Sequence, residues 1–284
     1  MGDRNFGELL AKREEAGLSV CVGLDSELGR IPKSIRGTHK DPREIIFSFN
    51  MAIVEATGDL AVAFKPNLGF YVAEGIMGLL ALRETIGFIH DAYPQVPVIL
   101  DGKFGDIGNT NAGYVKFAFD EMGADAVTLH GFLGAEALQP FLVCQNKGLF
   151  VLCRTSNPGA GEFQDLMVEN PRGASMPLYQ QVAVNVATEW NKRRNCGLVV
   201  GATYPQELAK VRQIVGEEMP ILVPGIGAQG GELEATVYAG RGHMLINSSR
   251  GIIFASAGMN FHGAVRDAAQ KLHDDIQAAL AAVV

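Results

Sequence analysis

One stretch of the chain joins a continuous apolar run to a cluster of charges: Val96-Pro97-Val98-Ile99-Leu100-Asp101-Gly102-Lys103-Phe104-Gly105-Asp106. A continuous apolar run, as opposed to an alternating one, is typical of a strand buried on both faces, as in a parallel sheet. Similar runs recur at Leu18 to Leu24, Leu60 to Phe64, Ala126 to Leu129, Leu149 to Cys153, Leu198 to Val200, Ile221 to Val223 and Met244 to Ile246. The recurrence predicts a parallel sheet.

Helical periodicity fills most of the intervals between these runs. The periodic segments are Pro42–Ala56, Val72–Ala92, Asn111–Met122, Pro177–Lys192 and Glu207–Val215. Repeated strand–helix units within 284 residues predict an α/β fold of the (β/α)8 TIM-barrel type, formed as a single domain over residues 1–284. A doubly wound open sheet is the alternative. In a barrel, the active site lies at the carboxyl ends of the strands.

Composition excludes several classes of partner. The 24 basic and 31 acidic side chains give a net charge of −7, which argues against nucleic acid because phosphate neutralisation needs clustered Lys and Arg. The apolar stretch Gly75 to Leu82 lies between Glu74 and Arg83 and is too short to cross a bilayer. Four scattered cysteines without a CxxC pair, together with a charged N-terminus, predict a cytoplasmic protein with reduced thiols.

Charged residues follow the second and third runs. Asp101 and Lys103 are two residues apart, so on a strand their side chains point to the same side. Lys65 comes at the end of the second run and would reach the same pocket. A structural network of ion pairs at the barrel mouth is one interpretation. The other is an active site, in which alternating charges hold an ammonium group in position.

A glycine-rich loop follows the seventh run. Gly225–Gly230 matches G-x-G-x-x-G, but a dinucleotide fingerprint belongs in the first strand–helix unit. Together with Arg250 after the eighth run, the loop instead fits the phosphate site that is usual in this class of barrel. His130 ends the fourth run and is interpreted as a structural residue. No His, Cys and carboxylate cluster has zinc-ligand spacing, although residue types alone leave magnesium at Asp101 and Asp106 open.

These motifs resemble a known family. Asp101-x-Lys103-x-x-Asp106, followed by Ile107-Gly108-Asn109-Thr110, resembles the hallmark of the orotidine 5′-phosphate decarboxylases. Three further motifs have the family's order and spacing: Phe64-Lys65-Pro66-Asn67, Thr155-Ser156-Asn157-Pro158 and Val223-Pro224-Gly225-Ile226. The resemblance extends from about Gly23 to Gly251 and is closest to the branch with a short loop after the seventh strand.

The resemblance implies a charged tetrad of Lys65, Asp101, Lys103 and Asp106, with Lys103 as the proton donor. It also implies a homodimer in which Asp106 and Thr110 reach into the neighbouring subunit's site. It further implies a set of residues that bind the nucleotide: Asp25 and Lys65 at the ribose, Ser156 at the pyrimidine, Gln229 and Arg250 at the phosphate. No organic cofactor and no metal is required.

The implied chemistry agrees with the residue types. Loss of CO2 from C6 of the pyrimidine leaves a carbanion in the plane of the ring, where no carbonyl absorbs the charge. A fixed ammonium beside that carbon stabilises the charge and then supplies the proton. Three alternatives are a metal-dependent sugar-phosphate decarboxylase or synthase of the same superfamily, a Schiff-base aldolase that uses Lys65 or Lys103, and a catalytically silent barrel that binds a nucleotide.

Overall fold

Eight parallel strands form the body of the molecule. The computed structural model describes residues 4–169, 173, 175–226 and 233–282. The strands of the main sheet are β1 (Val20–Gly23), β2 (Ala61–Lys65), β3 (Ile99–Phe104), β4 (Ala126–Leu129), β5 (Gly148–Arg154), β8 (Cys196–Val200), β9 (Ile221–Pro224) and β10 (Met244–Ser248). Their order is β2-β1-β10-β9-β8-β5-β4-β3, and two bridges, Phe64 to Val98 and Asn67 to Asp101, join its outer strands. The result is a nearly closed barrel, which confirms the predicted fold class.

Helices surround the barrel. They are α1 (Phe6–Glu15), α2 (Lys33–Arg36), α3 (Pro42–Thr57), α4 (Leu68–Val72), α5 (Gly75–Ala92), α6 (Gly108–Val115), α7 (Gly134–Leu142), α8 (Gly161–Gln164), α9 (Leu178–Asn185), α10 (Pro205–Val215), α11 (Leu233–Gly240), α12 (Arg250–Ile253) and α13 (Phe261–Ala281). Asp41 begins α3 as an N-cap that accepts from the backbone N of Arg43, and Pro42 occupies the first turn. Across the described ranges, no helix combines the length and apolar character that crossing a bilayer requires.

Several element boundaries differ from the sequence predictions. The interval Val72–Ala92 is divided between α4 and α5, because the chain turns between them and brings Tyr71 into the core. Helices α6 and α9 continue into wider π-helical turns at Lys116–Glu121 and Val186–Trp190. The longer helices α1, α7, α11 and α13 and the short helices α2, α8 and α12 lie outside the predicted periodic segments. The polar segment 159–175 includes α8 and β6 (Met167–Glu169). Outside the barrel, β6 pairs with β7 (Ser175–Pro177) as a small antiparallel sheet.

The barrel interior is apolar below its mouth. A buried cluster fills it, comprising Phe6, Leu10, Leu18, Cys21, Val62, Ala63, Ile99, Ala126, Phe150, Val199, Leu222 and Leu245. Helix α1 contributes Phe6, whose ring meets that of Phe150 edge to face at 5.7 Å. This helix therefore closes the amino-terminal end of the barrel, and the opposite end stays open for a site.

Candidate active site

A cavity of about 450 Å³ opens at the carboxyl ends of the strands. This volume is in the range usual for small-molecule sites. Six residues predicted to form the site line it together: Asp25, Lys65, Asp101, Lys103, Ser156 and Arg250. Residues that are more than 200 positions apart in the chain thus meet because all barrel strands end at this face.

The carboxylate of Asp101 lies at the centre of the charges. Its Oδ2 accepts from Lys65 Nζ at 3.0 Å, and its Oδ1 accepts from Lys103 Nζ at 2.6 Å. The hydroxyl of Thr128 also donates to Oδ1, at 2.8 Å. Lys65 and Asp101 are buried, whereas half of the Lys103 side chain is exposed to the cavity. Asp101 therefore fixes the Lys103 ammonium at a position that a ligand can reach.

Opposite charges keep the buried pair ionised. Burial alone would raise the pKa of Asp101, but Lys65 and Lys103 outweigh burial and hold that pKa well below its usual range. Burial alone would lower the pKa of Lys65, but Asp101 and Asp25 outweigh it and raise that pKa. Both groups are consequently charged at neutral pH.

The backbone of β3 bulges at this point. The pairing of β3 with β4 runs from Leu100 opposite Val127 to Phe104 opposite Leu129, so residues 101–103 lie opposite Thr128 alone. Lys103 adopts a left-handed backbone with φ of 47°, which is uncommon for a residue with a side chain. The apolar run ends at Leu100, and the sequence prediction placed Asp101 and Lys103 at the end of this strand. The strand continues to Phe104, and the charged residues lie within it.

Two acceptor oxygens in the cavity wall have no hydrogen-bond partner among the described residues. They are Oδ1 of Asp25, after β1, and Oδ1 of Asn247, on β10. Buried polar atoms normally have partners, so unpaired acceptors in a cavity wall indicate donors on a ligand. Sugar hydroxyls are donors of this kind.

Ser156 lies where two strand ends approach closely. A Cβ atom at Gly201, directly after β8, would come within 2.6 Å of Ser156 Cβ. Gln164 from α8 also lines the cavity, and its Oε1 accepts from the backbone N of Thr155 at 2.8 Å. Asp165 forms an ion pair with Arg154 at 3.0 Å. Helix α8 and Asp165 are thus anchored to the end of β5, beside Ser156.

Arg250 begins α12 directly after β10. Its side chain is exposed, lines the cavity and forms no ion pair within the described part of the chain. Ser249 packs so closely on the end of β1 that a Cβ at Gly23 would lie 1.8 Å from its Oγ. Gln229, predicted to bind the phosphate with Arg250, lies outside the described residues.

Comparison with known proteins identifies the family to which this barrel and this site belong. A family model described as "Orotidine 5'-phosphate decarboxylase / HUMPS family" matches residues 19–259. An orotidine 5′-phosphate decarboxylase of Ralstonia pickettii is 47% identical over 276 residues, which cover 95% of this chain and 97% of that relative. The chain belongs to this family.

Solved structures agree with the assignment. Leishmania donovani OMP decarboxylase is 36% identical, with a TM-score of 0.81, and the match covers 97% of this chain and 98% of that one. Leishmania donovani UMP synthase is also 36% identical, with a TM-score of 0.84; the match covers 97% of this chain and 56% of the synthase. The likeness to the decarboxylase therefore extends over nearly the whole of both chains.

Two family-motif residues lie away from the cavity. The Asp106 carboxylate accepts from the backbone N of Ile107 at 2.7 Å, and Asp106 does not line the cavity. Thr110 is exposed and lines a separate apolar depression with Leu68, Tyr114 and Phe117 among others. His130 does not line the cavity either. Its Nε2 lies 3.0 Å from the carbonyl oxygen of Gly105, which agrees with its interpretation as a structural residue.

Sequence reasoning missed several residues in the cavity wall. Thr128, Asn247, Asn67 and Gln164 all line it. Thr128 is the polar member of an otherwise apolar run, and Asn247 directly follows one. A polar residue on the interior side of a barrel strand is a usable signal, because burying its polar group costs free energy unless the group has a partner. The predictions relied on charge and on family motifs, and these neutral residues carried neither a charge nor an assigned role in a motif.

Proposed function

We propose that this chain removes the carboxylate of orotidine 5′-phosphate as CO2 and leaves uridine 5′-phosphate, the last step of de novo pyrimidine nucleotide synthesis. The observation that carries the proposal is the chain of contacts Lys65–Asp101–Lys103 in the cavity wall. In this chain of contacts, the Lys103 ammonium is exposed to the cavity, and the buried Asp101 carboxylate balances its charge. The relatives that carry the decarboxylase name support the same reaction.

Lys103 acts on the reacting carbon. When the bond from C6 to the carboxylate breaks, its electron pair remains on C6 and CO2 departs. The Lys103 ammonium stabilises that charge and then transfers a proton to C6, which completes the product. One ammonium at about 4 Å in a partly screened site contributes roughly 4 kcal/mol.

Lys103 alone does not supply the whole rate enhancement. Enzymes commonly lower barriers by about 8–23 kcal/mol, so further stabilisation has to come from the non-reacting parts of the substrate. In the proposed arrangement, Asp25 and Lys65 hold the ribose, Ser156 the pyrimidine, and Arg250 with Gln229 the phosphate. Within the described part of the chain, Oδ1 of Asp25 has no hydrogen-bond partner and Arg250 forms no ion pair, which supports the first and last of these assignments.

We also propose that two copies associate, so that Asp106 and Thr110 of each enter the other's site. Support comes from their positions, since neither lines the cavity of its own chain. Apolar side chains lie beside them: Ile107, next to Asp106, is 55% exposed, and Tyr114, 37% exposed, lines the same depression as Thr110. Exposed apolar surface of this kind is typical of protein–protein contacts.

Mixed dimers test this arrangement. Lys103→Ala and Asp106→Ala are each expected to be inactive alone and to recover about a quarter of wild-type activity when mixed at random, because one site of each mixed dimer then has both residues intact. Lys103→Ala mixed with Asp101→Ala is the matched control. Those two residues belong to the same subunit's site, so no activity should return. Equal behaviour of the two mixtures would remove Asp106 from the partner's site.

Release of CO2 from carboxyl-labelled orotidine 5′-phosphate tests the proposed reaction. We expect release at the same rate in EDTA and in magnesium. Release only with magnesium would favour the metal-dependent branch of the superfamily, and covalent trapping by borohydride in the presence of substrate would favour a Schiff-base aldolase. Binding without release would indicate a silent barrel.

We further propose a cytoplasmic location. The four cysteines, Cys21, Cys144, Cys153 and Cys196, are all free thiols. Burial raises the pKa of the Cys21 and Cys196 thiols to about 12. Unpaired, unreactive thiols suit a reducing compartment.

A further inference from the structure

The hydroxyl of Thr128 makes two contacts with the charged cluster. Its Oγ1 accepts a hydrogen bond from the backbone N of Lys103 at 2.9 Å. The same hydroxyl donates to Oδ1 of Asp101 at 2.8 Å. A hydroxyl has one proton to donate and lone pairs to accept, so one group serves both contacts at once.

The bulge in β3 explains why these contacts matter. Residues 101–103 lie opposite Thr128 alone, so the backbone of β3 lacks regular partners on β4 along this stretch. The Thr128 side chain supplies the missing acceptor for the Lys103 N–H. It thereby holds Lys103 in its left-handed conformation, a conformation that costs free energy and persists only where its surroundings enforce it.

The other residues of β4 are apolar and buried. Ala126 lies two residues earlier on β4 and belongs to the buried interior cluster, and Thr128 itself is 1% exposed. Burying a hydroxyl there is unfavourable unless both of its hydrogen-bonding capacities are used. Valine has nearly the same shape and would fill the space without that cost. Packing alone therefore gives no reason for a threonine.

We propose that Thr128 is a positioning residue, whose hydroxyl fixes the Asp101 carboxylate and the Lys103 backbone relative to each other and so aims the Lys103 ammonium at the reacting carbon. The inference rests on the proposed role of Lys103. It adds that the direction of the Lys103 ammonium is set by a neutral hydroxyl on the neighbouring strand, β4. The resulting effect belongs to the chemical step rather than to nucleotide binding.

Thr128→Val tests this most directly, because it removes the hydroxyl and keeps the shape. We expect kcat for orotidine 5′-phosphate to fall about 10- to 100-fold, the usual size for a lost hydrogen bond to a charged group. KM and the dissociation constant for uridine 5′-phosphate should stay within about threefold of wild type, since those contacts do not involve the hydroxyl. Thr128→Ser restores the hydroxyl and should recover kcat to within about threefold of wild type.

Two controls separate positioning from stability. Thr57→Val removes another fully buried hydroxyl, which donates to the carbonyl of Ile53 away from the cavity, and should leave kcat unchanged. If Thr128→Val does not fold, Thr128→Ser and Thr128→Ala form a second pair that differs only in the hydroxyl. Of these two, Ala should have the lower kcat by the same 10- to 100-fold factor.

If the wild-type protein turns over normally, any of three results would overturn the inference. They are a Thr128→Val kcat within threefold of wild type, an equal loss in the Ser and Ala variants, or a loss that appears in KM alone. Absence of turnover in the wild-type protein itself would instead overturn the proposed function. The two failures are therefore distinguishable in one set of assays.

Discussion

At the scale of single residues, the site depends on a carboxylate that is buried but fully bonded. Each oxygen of Asp101 has its own donors, Lys65 on one side and Lys103 with Thr128 on the other. A buried charge is tolerated only with such partners, and removing one partner leaves the other charge uncompensated. The same contacts that stabilise the folded site also orient the Lys103 ammonium.

Asp101→Asn should reveal this coupling as a pH-dependent loss of stability. Lys65 would remain buried without the carboxylate that it contacts, although the Asp25 charge would still be near, so we expect the free energy of unfolding to fall by about 3–5 kcal/mol at pH 7. The pKa of Asp101 is depressed in the folded state, so its stabilisation is complete above its unfolded pKa of about 3.9 and is lost as pH falls through the folded value. Denaturant unfolding between about pH 3 and 8 measures the free energy of unfolding of the wild-type protein and of Asp101→Asn. The difference between the two should shrink only below about pH 4.

Arg250→Ala should separate binding from chemistry. The guanidinium is exposed at the cavity and is assigned to the remote phosphate, so we expect a large rise in KM for orotidine 5′-phosphate. Loss of a charge-assisted bidentate contact of about 2–3 kcal/mol corresponds to roughly 30- to 150-fold in affinity. Steady-state kinetics measure the change, and an unchanged KM would remove Arg250 from the phosphate site.

At the scale of elements, the loops after the strands approach neighbouring strand ends very closely. The turn that carries Ser156 lies on the end of β8, where Gly201 has no Cβ to obstruct it. The nearest atoms to such a Cβ include the backbone N of Ser156 at 2.9 Å, so a side chain there would displace the turn itself.

Gly201→Ala should therefore weaken substrate binding by moving Ser156. We expect KM for orotidine 5′-phosphate to rise about 10-fold or more, since the hydrogen bond that we propose between Ser156 and the pyrimidine would be lost. Gly87→Ala is the matched control, because a Cβ at that position in α5 meets nothing within 4 Å. The control should keep its kinetics and gain up to about 1 kcal/mol of stability from helix propensity. Equal kinetics for both variants would contradict the proposed role of the close approach.

The elements show what the sequence pattern could and could not predict. Continuous apolar runs predicted every barrel strand, because burial on both faces requires them. The apolar run of β3 ends at Leu100, and only the charged cluster that follows marked the continuation, which extends to Phe104 through a bulge. Charge or a family motif marked a further set of residues, which the structure brings together in one cavity: Asp25, Lys65, Asp101, Lys103, Ser156 and Arg250. Thr128 and Asn247 were missed because each is a neutral residue in or beside an apolar run, and the contacts of Thr128 with Asp101 and Lys103 appear only when β4 packs beside β3.

At the scale of the whole molecule, one end of the barrel forms the site and the other end contributes to the stability of the fold. The carboxyl end carries the cavity. Near the amino-terminal end, Asp125 is completely buried and accepts from Arg4 Nε at 2.8 Å and from the backbone N of Val98 at 2.9 Å. Burial would raise the pKa of Asp125, but His90 and Arg4 outweigh it and lower that pKa to about 2.

Asp125→Ala should thus destabilise the fold without changing the chemistry. Removing a buried, fully bonded carboxylate leaves Arg4 and the Val98 N–H without their acceptor, and we expect a loss of about 3–5 kcal/mol in the free energy of unfolding. Because the site lies at the other end of the barrel, kcat of the folded variant should equal that of wild type. Denaturant unfolding and steady-state kinetics measure the two quantities, and a fall in kcat at full folding would contradict this separation.

The proposed decarboxylation depends on the Lys103 ammonium, and one assay tests this role of Lys103 most directly. The ultraviolet absorbance of orotidine 5′-phosphate is followed in EDTA with wild-type protein and with Lys103→Ala, and binding of uridine 5′-phosphate verifies that the variant's site is folded. We predict steady loss of the orotate band with wild type and no measurable loss with the variant, which should still bind the product. Near-normal turnover by Lys103→Ala, or an unchanged spectrum with wild type, would contradict the account.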